Sequence, residues 1–444
     1  MDQQVAGGAG EVSPFARNRE IKENRAAGLP GQAPLGRLQQ RLLRLSLFNF
    51  FLLAGAGLLL RLLPFLSHFP LEYRHLLHGH SHFAFGGWVL PVLVLLLLRY
   101  FPLLRQQVAF RHWRIIAFLA FVSAYGMLVS FSFQGYKAAS IFFSTLSLSA
   151  GIYLAVVVGR ALRGRALPPS LRLVRAGLFY YCLSALGPLA TGPLAAAGKA
   201  GTPLYRDVIY FYLHCQYNGW FVLTLLAVLY RVLEKKGIAR YGQTVYRLFA
   251  FSCLPAYCLS VLWHGPALAF YGVGGLAAAA QVAGLYFLVK DVRGFRWAQN
   301  GSGLLFRLAA AAFVLKNGLQ LVSAGPAAAA LASLYHNVVI AYLHLVLLGF
   351  VSLGCLAALF HAGTLSFSPR ARVGLGLFLF SFVATECLLV GQAAGAYLGV
   401  TVPYVPLQLL LFSLFFPIGI FLLFRSACGQ KKETLRGNVS AVSI

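Results

Sequence analysis

Hydrophobic residues in this chain are gathered into long stretches, and most of the charged residues lie in the short segments between them. Twelve stretches are near the roughly 20 residues that a helix needs to cross a bilayer. They are 43–65, 79–99, 113–132, 138–159, 173–196, 207–230, 246–265, 267–289, 303–323, 335–360, 373–396 and 404–424. The stretches are continuously apolar rather than alternating, which favours helices over the strands of a barrel. The pattern predicts an all-α polytopic membrane protein, a bundle of twelve transmembrane helices.

The two ends of the chain differ from this pattern. Residues 1–42 are rich in Gly, Ala, Gln and charge, which predicts a disordered basic cytoplasmic tail. Residues 43–426 form the predicted twelve-helix transmembrane domain, and 427–444 are a second predicted cytoplasmic tail. The seventh and eighth stretches are separated only by His264, Gly265 and Pro266.

Composition agrees with a membrane protein, because 59% of the residues are hydrophobic and only 11% are charged. Soluble domains carry roughly 25% charged residues. If the N-terminus is inside, 31 of the 37 Lys and Arg residues fall in inner segments, which predicts that both termini are cytoplasmic. The basic residues form no single patch, so nucleic acid is excluded as a partner. The expected location is the cytoplasmic (inner) membrane of a bacterium.

The histidines are the candidate functional residues. Three lie at the outer end of the second predicted span, one lies in the sixth, two lie in the tenth and one closes the seventh. In that order they are His78, His80, His82, His214, His336, His344 and His264. His82, His214 and His344 would each lie roughly 5–15 Å below the outer surface, at 1.5 Å per residue. An ionisable side chain in a span indicates function by default, and imidazole suits haem iron, copper or zinc.

A haem with two axial histidines needs two such spans that face each other across its plane. His78 and His82 share one helix face at i, i+4, whereas His80 points elsewhere. One or two of the three can therefore serve a metal. The alternative interpretation is that a histidine within a span only makes a hydrogen bond between helices.

Short motifs around these histidines resemble the haem–copper oxidase subunit I superfamily, in its cbb-type oxidase and nitric-oxide-reductase branch. That superfamily has twelve spans and cytoplasmic termini, with metal-ligating histidines in spans two, six, seven and ten. Its sixth-span motif is similar to Tyr212-Leu213-His214 followed by Gly219-Trp220-Phe221. Its tenth-span motif is similar to Ile340-Ala341-Tyr342-Leu343-His344 followed by Leu348-Gly349-Phe350.

The resemblance implies a low-spin haem b on His344, with its partner among His78, His80 and His82; depth favours His82. It also implies that His214 corresponds to a copper ligand, with His264 and His336 as the other candidate metal ligands. Tyr342 stands where the family has the histidine of its high-spin haem, and the adjacent histidine pair of span seven is absent. Copper would then have one convincing ligand, so a complete oxygen-reducing centre is not expected.

A second resemblance is to the NnrS-type haem proteins of the nitric-oxide response. These have about twelve spans and an early His-x-His before a Phe-Gly stretch, which His80-Ser81-His82 and Phe85-Gly86 match. Both resemblances imply a membrane haem protein.

Other polar residues lie within or beside the predicted spans. Lys316, Gln320, Glu386 and Tyr342 are candidates for a proton or polar pathway. The alternative is that they form hydrogen bonds between helices, or that Lys316 reaches an interface. Arg61 and Arg74 lie at the outer edge, where the family analogy would place haem propionates. The alternative for both is simple anchoring at the interface.

We therefore expect a haem b protein that acts in respiratory electron transfer or nitric-oxide chemistry. The expected partners are the lipid bilayer and respiratory-chain subunits, quinone or cytochrome c. Two alternatives use the same scaffold: a proton-coupled transporter or channel, and a cofactor-free assembly partner. Whether the chain is an enzyme is left open.

Overall fold

The computed structural model describes residues 32–295 and 301–440, and side chains over 34–295 and 301–430. The chain forms two compact units, residues 1–41 and 42–444, and packing is described within the second. The described residues are helical and form no strand. The helices are α1 32–65, α2 Tyr73–Tyr100, α3 Pro102–Gln107, α4 Phe110–Gln134, α5 Ala138–Leu162, α6 Pro169–Ala196, α7 203–235, α8 Gly242–His264, α9 Leu268–Arg293, α10 Gly301–Val322, α11 Pro326–Leu334, α12 His336–His361, α13 Pro369–Leu398 and α14 405–440.

Eleven helices of the described residues are long and apolar enough to cross a membrane, which confirms a multi-pass helical membrane protein. Each coincides with one of the predicted stretches. The predicted sixth span, 207–230, lies within α7, which is a long helix but is not among those eleven. Its middle carries His214, Gln216 and Asn218, and such polar side chains lower the mean hydropathy of the segment.

The helix boundaries differ from the predicted ones mainly at the two ends of the chain. Helix already begins at Gln32, within the segment predicted as a tail, and the last helix runs to Ser440, past residue 427. The remaining tail residues, 1–31 and 441–444, lie outside the described residues. The division between α8 and α9 falls where the sequence predicted it, because Gly265 adopts a left-handed conformation with φ of 66° that ends α8.

Three helices change from α-helical to π-helical hydrogen bonding near their middle. The π-helical segments are Ala84–Val89 in α2, Cys215–Phe221 in α7 and Leu345–Ser352 in α12. These are the three helices that carry His82, His214 and His344, and each segment begins within two residues of that histidine. π-Helical turns are rare and are frequent at functional sites.

The π-helical segments meet at the centre of the bundle. The indole N–H of Trp88 in α2 donates to Oγ of Ser352 in α12 at 2.9 Å, and the rings of Phe85 in α2 and Phe221 in α7 are 5.1 Å apart. The most apolar windows of α2 and α12 are 78% and 72% buried, against 28–50% for the other candidate spans. The histidine-bearing helices are therefore the inner helices of the bundle, and the other helices face the surroundings.

Candidate functional site

The histidines of α2 lie on two faces of the helix, as their spacing predicted. His82 stacks on Phe131 with ring centroids 4.2 Å apart, and its Nε2 is hydrogen-bonded to the hydroxyl of Tyr136 at 2.9 Å. His78 packs edge-on against Tyr136, with ring centroids 4.8 Å apart. Both rings are directed towards α4 and the turn after it, so they face away from α12.

His80 faces the opposite side of α2, towards α1. A Cβ atom on Gly57 of α1 would lie 3.1 Å from Cε1 of His80, so the imidazole fits against the bare backbone of that glycine. His80 is hydrogen-bonded to the backbone of Leu53, and it lies close enough to Arg61 and to His344 to interact electrostatically with both. His80 therefore lies on the side of α2 that is near His344, whereas His82, the residue that depth favoured, packs against Phe131 and Tyr136.

His344 of α12 completes this cluster together with a carboxylate from α13. Its Nδ1 lies 3.3 Å from Oε1 of Glu386, although the pair is too poorly aligned to count as a hydrogen bond. Arg61 interacts electrostatically with Glu386 as well as with His80. Four helices thus bring together Arg61, His80, His344 and Glu386, which we call the His80–His344 cluster.

Polar atoms in this cluster are buried without hydrogen-bond partners. They are Nδ1 of His80, Nδ1 of His344 and Oε1 of Glu386. A buried polar atom without a partner is costly, typically about 1–3 kcal/mol, and each instance calls for an explanation. Two of these atoms, Nδ1 of His344 and Oε1 of Glu386, lie 3.3 Å from each other, so Nδ1 of His80 is the atom of the cluster that is left without any partner.

His214 belongs to a second polar cluster, between α7, α8 and α10. Its Nε2 donates to the carbonyl of Cys253 at 2.7 Å, since a carbonyl oxygen can only accept. Its Nδ1 then accepts from the side-chain amide of Asn218 at 3.1 Å and also lies 3.1 Å from the hydroxyl of Ser260. Both ring nitrogens are engaged with the protein, so this arrangement does not present His214 as a metal ligand.

The carbonyl of Cys253 can receive His214 because the backbone changes at that point. α8 passes from α-helical to 3-10 geometry over Pro255–His264, and the N–H of Tyr257 bonds to Leu254 rather than to Cys253. The change of geometry in α8 therefore leaves the Cys253 carbonyl free to accept the hydrogen bond from His214.

Lys316 of α10 lies beside this second cluster, and only 1% of its surface is exposed. It interacts electrostatically with His214 and Cys253. No carboxylate of the described residues is within ion-pair distance of it. Asn317 and Gln320 are also buried on α10, and the side-chain oxygen of each has no partner, as is true of Asn218.

The other predicted site residues lie away from both clusters, except Tyr342. His264 pairs with Asp207 at 3.1 Å, and His336 and Arg74 are exposed. Tyr342 interacts electrostatically with Tyr217 of α7 and so lies beside the second cluster. Within the part of the chain that the structure describes, no group of three His, Cys, Asp or Glu side chains is placed to hold a metal ion.

Sequence reasoning missed Gly57 and the π-helical segments. A glycine in an apolar helix resembles any other small packing residue. Asn218 lies at i+4 from His214, and this spacing predicts the contact that the structure shows.

No protein-family match is found for this chain, and no curated protein is significantly similar to it. The resemblance to haem–copper oxidases therefore rests on the short motifs and the helix arrangement.

Proposed function

We propose that this chain is an integral membrane haem protein that holds one haem b between α2 and α12, and that His80 and His344 are the residues that would hold its iron. The observation that carries the proposal is the convergence of these two imidazoles, from helices far apart in sequence, on one cluster in which Nδ1 of His80 is buried without a partner and Nδ1 of His344 has Glu386 beside it. Paired axial histidines are a known way to hold haem iron.

The residues of the His80–His344 cluster fit the chemistry of a haem. Neutral imidazole is a good iron ligand, and Gly57 leaves space beside the His80 ring that any larger residue would fill. Arg61 supplies a cation that can pair with a propionate. When bound, the haem would supply one-electron redox chemistry, with a potential tuned by its ligands and their surroundings.

The protein's own contribution is to orient the ligands. Glu386 is placed to accept a hydrogen bond from Nδ1 of His344, which would direct Nε2 of that ring towards the iron. α2 and α12 are the most buried of the candidate spans, so the site lies among inner helices. The proposed role is respiratory electron transfer or nitric-oxide chemistry in the bacterial cytoplasmic membrane, with quinone, cytochrome c or respiratory subunits as partners.

We also propose twelve spans with both termini in the cytoplasm. The basic segments support this, because counting α7 as a span keeps 31 of 37 Lys and Arg residues on one side. We do not propose a copper centre, since His214 uses both of its nitrogens within the protein.

The test of the haem proposal is the absorption spectrum of the purified protein from haem-replete cells. We expect a sharp band of six-coordinate haem b in the reduced-minus-oxidised difference, at about one haem per chain by pyridine haemochrome. A protein that is folded by size-exclusion chromatography and carries no haem would overturn the proposal.

Glu386→Gln is expected to raise the reduction potential of the bound haem. The carboxylate stabilises the extra positive charge of the ferric state through His344, and the neutral amide does not. We expect a rise of roughly 60 mV, which is a tenfold change for a one-electron couple. Redox titration of the haem band measures it. The control is Gln392→Leu on the same helix, which breaks a hydrogen bond to Asn337 and should leave the potential unchanged.

A second candidate function, proton-coupled transport, is favoured by Lys316. A lysine that is 1% exposed and has no carboxylate within ion-pair distance among the described residues is costly for stability. Intramembrane lysines of this kind occur in proton and substrate pathways. His214 of α7 interacts electrostatically with Lys316, Gln320 is buried on the same helix as Lys316, and Tyr342 of α12 lies beside this cluster.

Lys316→Met tests this candidate. We expect the free energy of unfolding to rise by on the order of 1–3 kcal/mol, because a buried polar group without a matching partner is removed. If Lys316 carries protons, proton uptake by proteoliposomes that contain the Lys316→Met variant should fall, under a pH gradient, to the level of empty liposomes. The matched control is Lys290→Met on α9, where the ammonium is outside the protein interior and lies 4.4 Å from the Tyr286 ring centroid. Unchanged uptake in Lys316→Met would exclude the transport role.

A further inference from the structure

A basic pocket lies at one end of the bundle, where α3, α4 and α5 meet. It encloses about 330 Å³. Its lining includes Gln107, His112, Val157, Arg160, Arg163 and Arg165. Neither the His80–His344 cluster nor the His214 cluster contributes to it. The pocket is thus a separate feature of the molecule.

The positive charge of this pocket is not neutralised by the described protein. Arg165 donates through Nη2 to the side-chain oxygen of Gln107 at 2.8 Å and through Nε to the carbonyl of Ala161 at 3.1 Å, and both acceptors are neutral. The sequence contains no Asp or Glu between Glu72 and Asp207. No ion pair of the described residues involves Arg160 or Arg163. An anion from outside the chain would therefore find three uncompensated guanidinium groups.

The position of the pocket defines which anion it meets. α4 begins at Phe110 and α5 ends at Leu162, and both are long enough to cross the bilayer, so the pocket lies at the level of the lipid headgroups. The N-terminal end of α4 and the C-terminal ends of α3 and α5 all face the pocket, so the guanidinium groups and not the helix dipoles give it its preference for negative charge. Val108 and Val157 are buried and form an apolar wall beside the charges.

We propose that this pocket binds the phosphate headgroup of an anionic phospholipid. Guanidinium groups match phosphate oxygens with paired hydrogen bonds, and basic pockets between membrane helices on the cytoplasmic side bind such headgroups. The apolar wall would pack against the glycerol and the upper acyl carbons of the lipid, which a free phosphate lacks. The inference is independent of the haem proposal, because it uses none of the same residues.

Lipid titration of the purified protein, followed by native mass spectrometry, tests the proposal. Short-chain phosphatidylglycerol is the probe, and phosphatidylcholine is the zwitterionic comparison. The variant is Arg160→Gln/Arg163→Gln/Arg165→Gln. Each basic residue near a membrane surface contributes about fivefold to such binding, so we expect phosphatidylglycerol affinity to fall roughly a hundredfold. Phosphatidylcholine binding should not change.

The matched control removes the same charge elsewhere among the basic segments, as Lys235→Gln/Lys236→Gln/Arg247→Gln; all three residues are exposed. It should retain phosphatidylglycerol affinity to within about fivefold. If both triple variants lost phosphatidylglycerol affinity to the same extent, diffuse surface charge would account for the lipid binding, and this would overturn the proposal. Inorganic phosphate that binds the pocket as tightly as phosphatidylglycerol would also overturn it, because the occupant would then be a soluble anion. Size-exclusion profiles matching the unmodified protein establish that the variants are folded.

Discussion

His80→Ala and His344→Ala are each expected to abolish the six-coordinate haem spectrum. Each substitution removes one of the two imidazoles that converge in the His80–His344 cluster. With one axial ligand missing, the iron would be five-coordinate or the haem would be lost, so the sharp reduced band should disappear in both variants. The reduced-minus-oxidised difference spectrum and the haem content per chain measure this effect.

His82→Ala and His78→Ala are the matched controls, since they remove imidazoles from the same helix. These rings pack on Phe131 and Tyr136 and face away from α12. Both control variants should keep the haem band. Loss of the band in His82→Ala with retention in His80→Ala would contradict the assignment and restore the choice made on depth alone.

Trp88→Ala is expected to cost roughly 3–5 kcal/mol of unfolding free energy, the usual range for truncating a large buried aromatic residue. Trp88 is 1% exposed, stacks on Phe50 with ring centroids 4.2 Å apart, and donates to Ser352. The substitution leaves a cavity where the π-helical segments of α2 and α12 meet, and Ser352 loses a donor. Denaturant titration in detergent, followed by circular dichroism, measures the change.

The control for this prediction is Phe118→Ala on α4, whose side chain is 66% exposed. In detergent it should change the unfolding free energy by about 0.5 kcal/mol or less, as for other surface positions. If both variants lost the same free energy of unfolding, packing around Trp88 at the centre of the bundle would contribute no more to stability than packing at a surface position.

The helical architecture could be predicted almost entirely from the sequence. Long apolar stretches determine where helices cross a bilayer, since each backbone polar group there must be bonded within its own helix. The end of α8 at Gly265 could also be predicted, because a glycine can adopt the left-handed conformation that ends this helix. Hydropathy did not predict the helix from Gln32, which begins before the apolar stretch.

The candidate site was predicted in part. The spacing of His78, His80 and His82 correctly predicted two faces, because successive helix positions are rotated by a fixed angle. It did not say which face meets α12. Depth does not separate the three residues, because they lie within about one turn of the same helix. Side-chain direction depends on how α1, α4 and α12 pack around α2, and this is a tertiary property.

The partners of the histidines were the least predictable feature. Glu386 stood out as an acidic residue within a span, but nothing in the sequence paired it with His344. The engagement of both His214 nitrogens depends on a carbonyl of α8 that becomes available only where that helix changes geometry. Such contacts join residues distant in sequence, and a single chain without relatives carries no signal for them.

Electron paramagnetic resonance of the oxidised, purified protein tests the central claim most directly. Two axial imidazoles on one ferric haem b produce a low-spin signal, and we predict that signal in the unmodified protein and its loss in His80→Ala. A high-spin signal alone, or a low-spin signal that survives in His80→Ala and His344→Ala, would contradict the account.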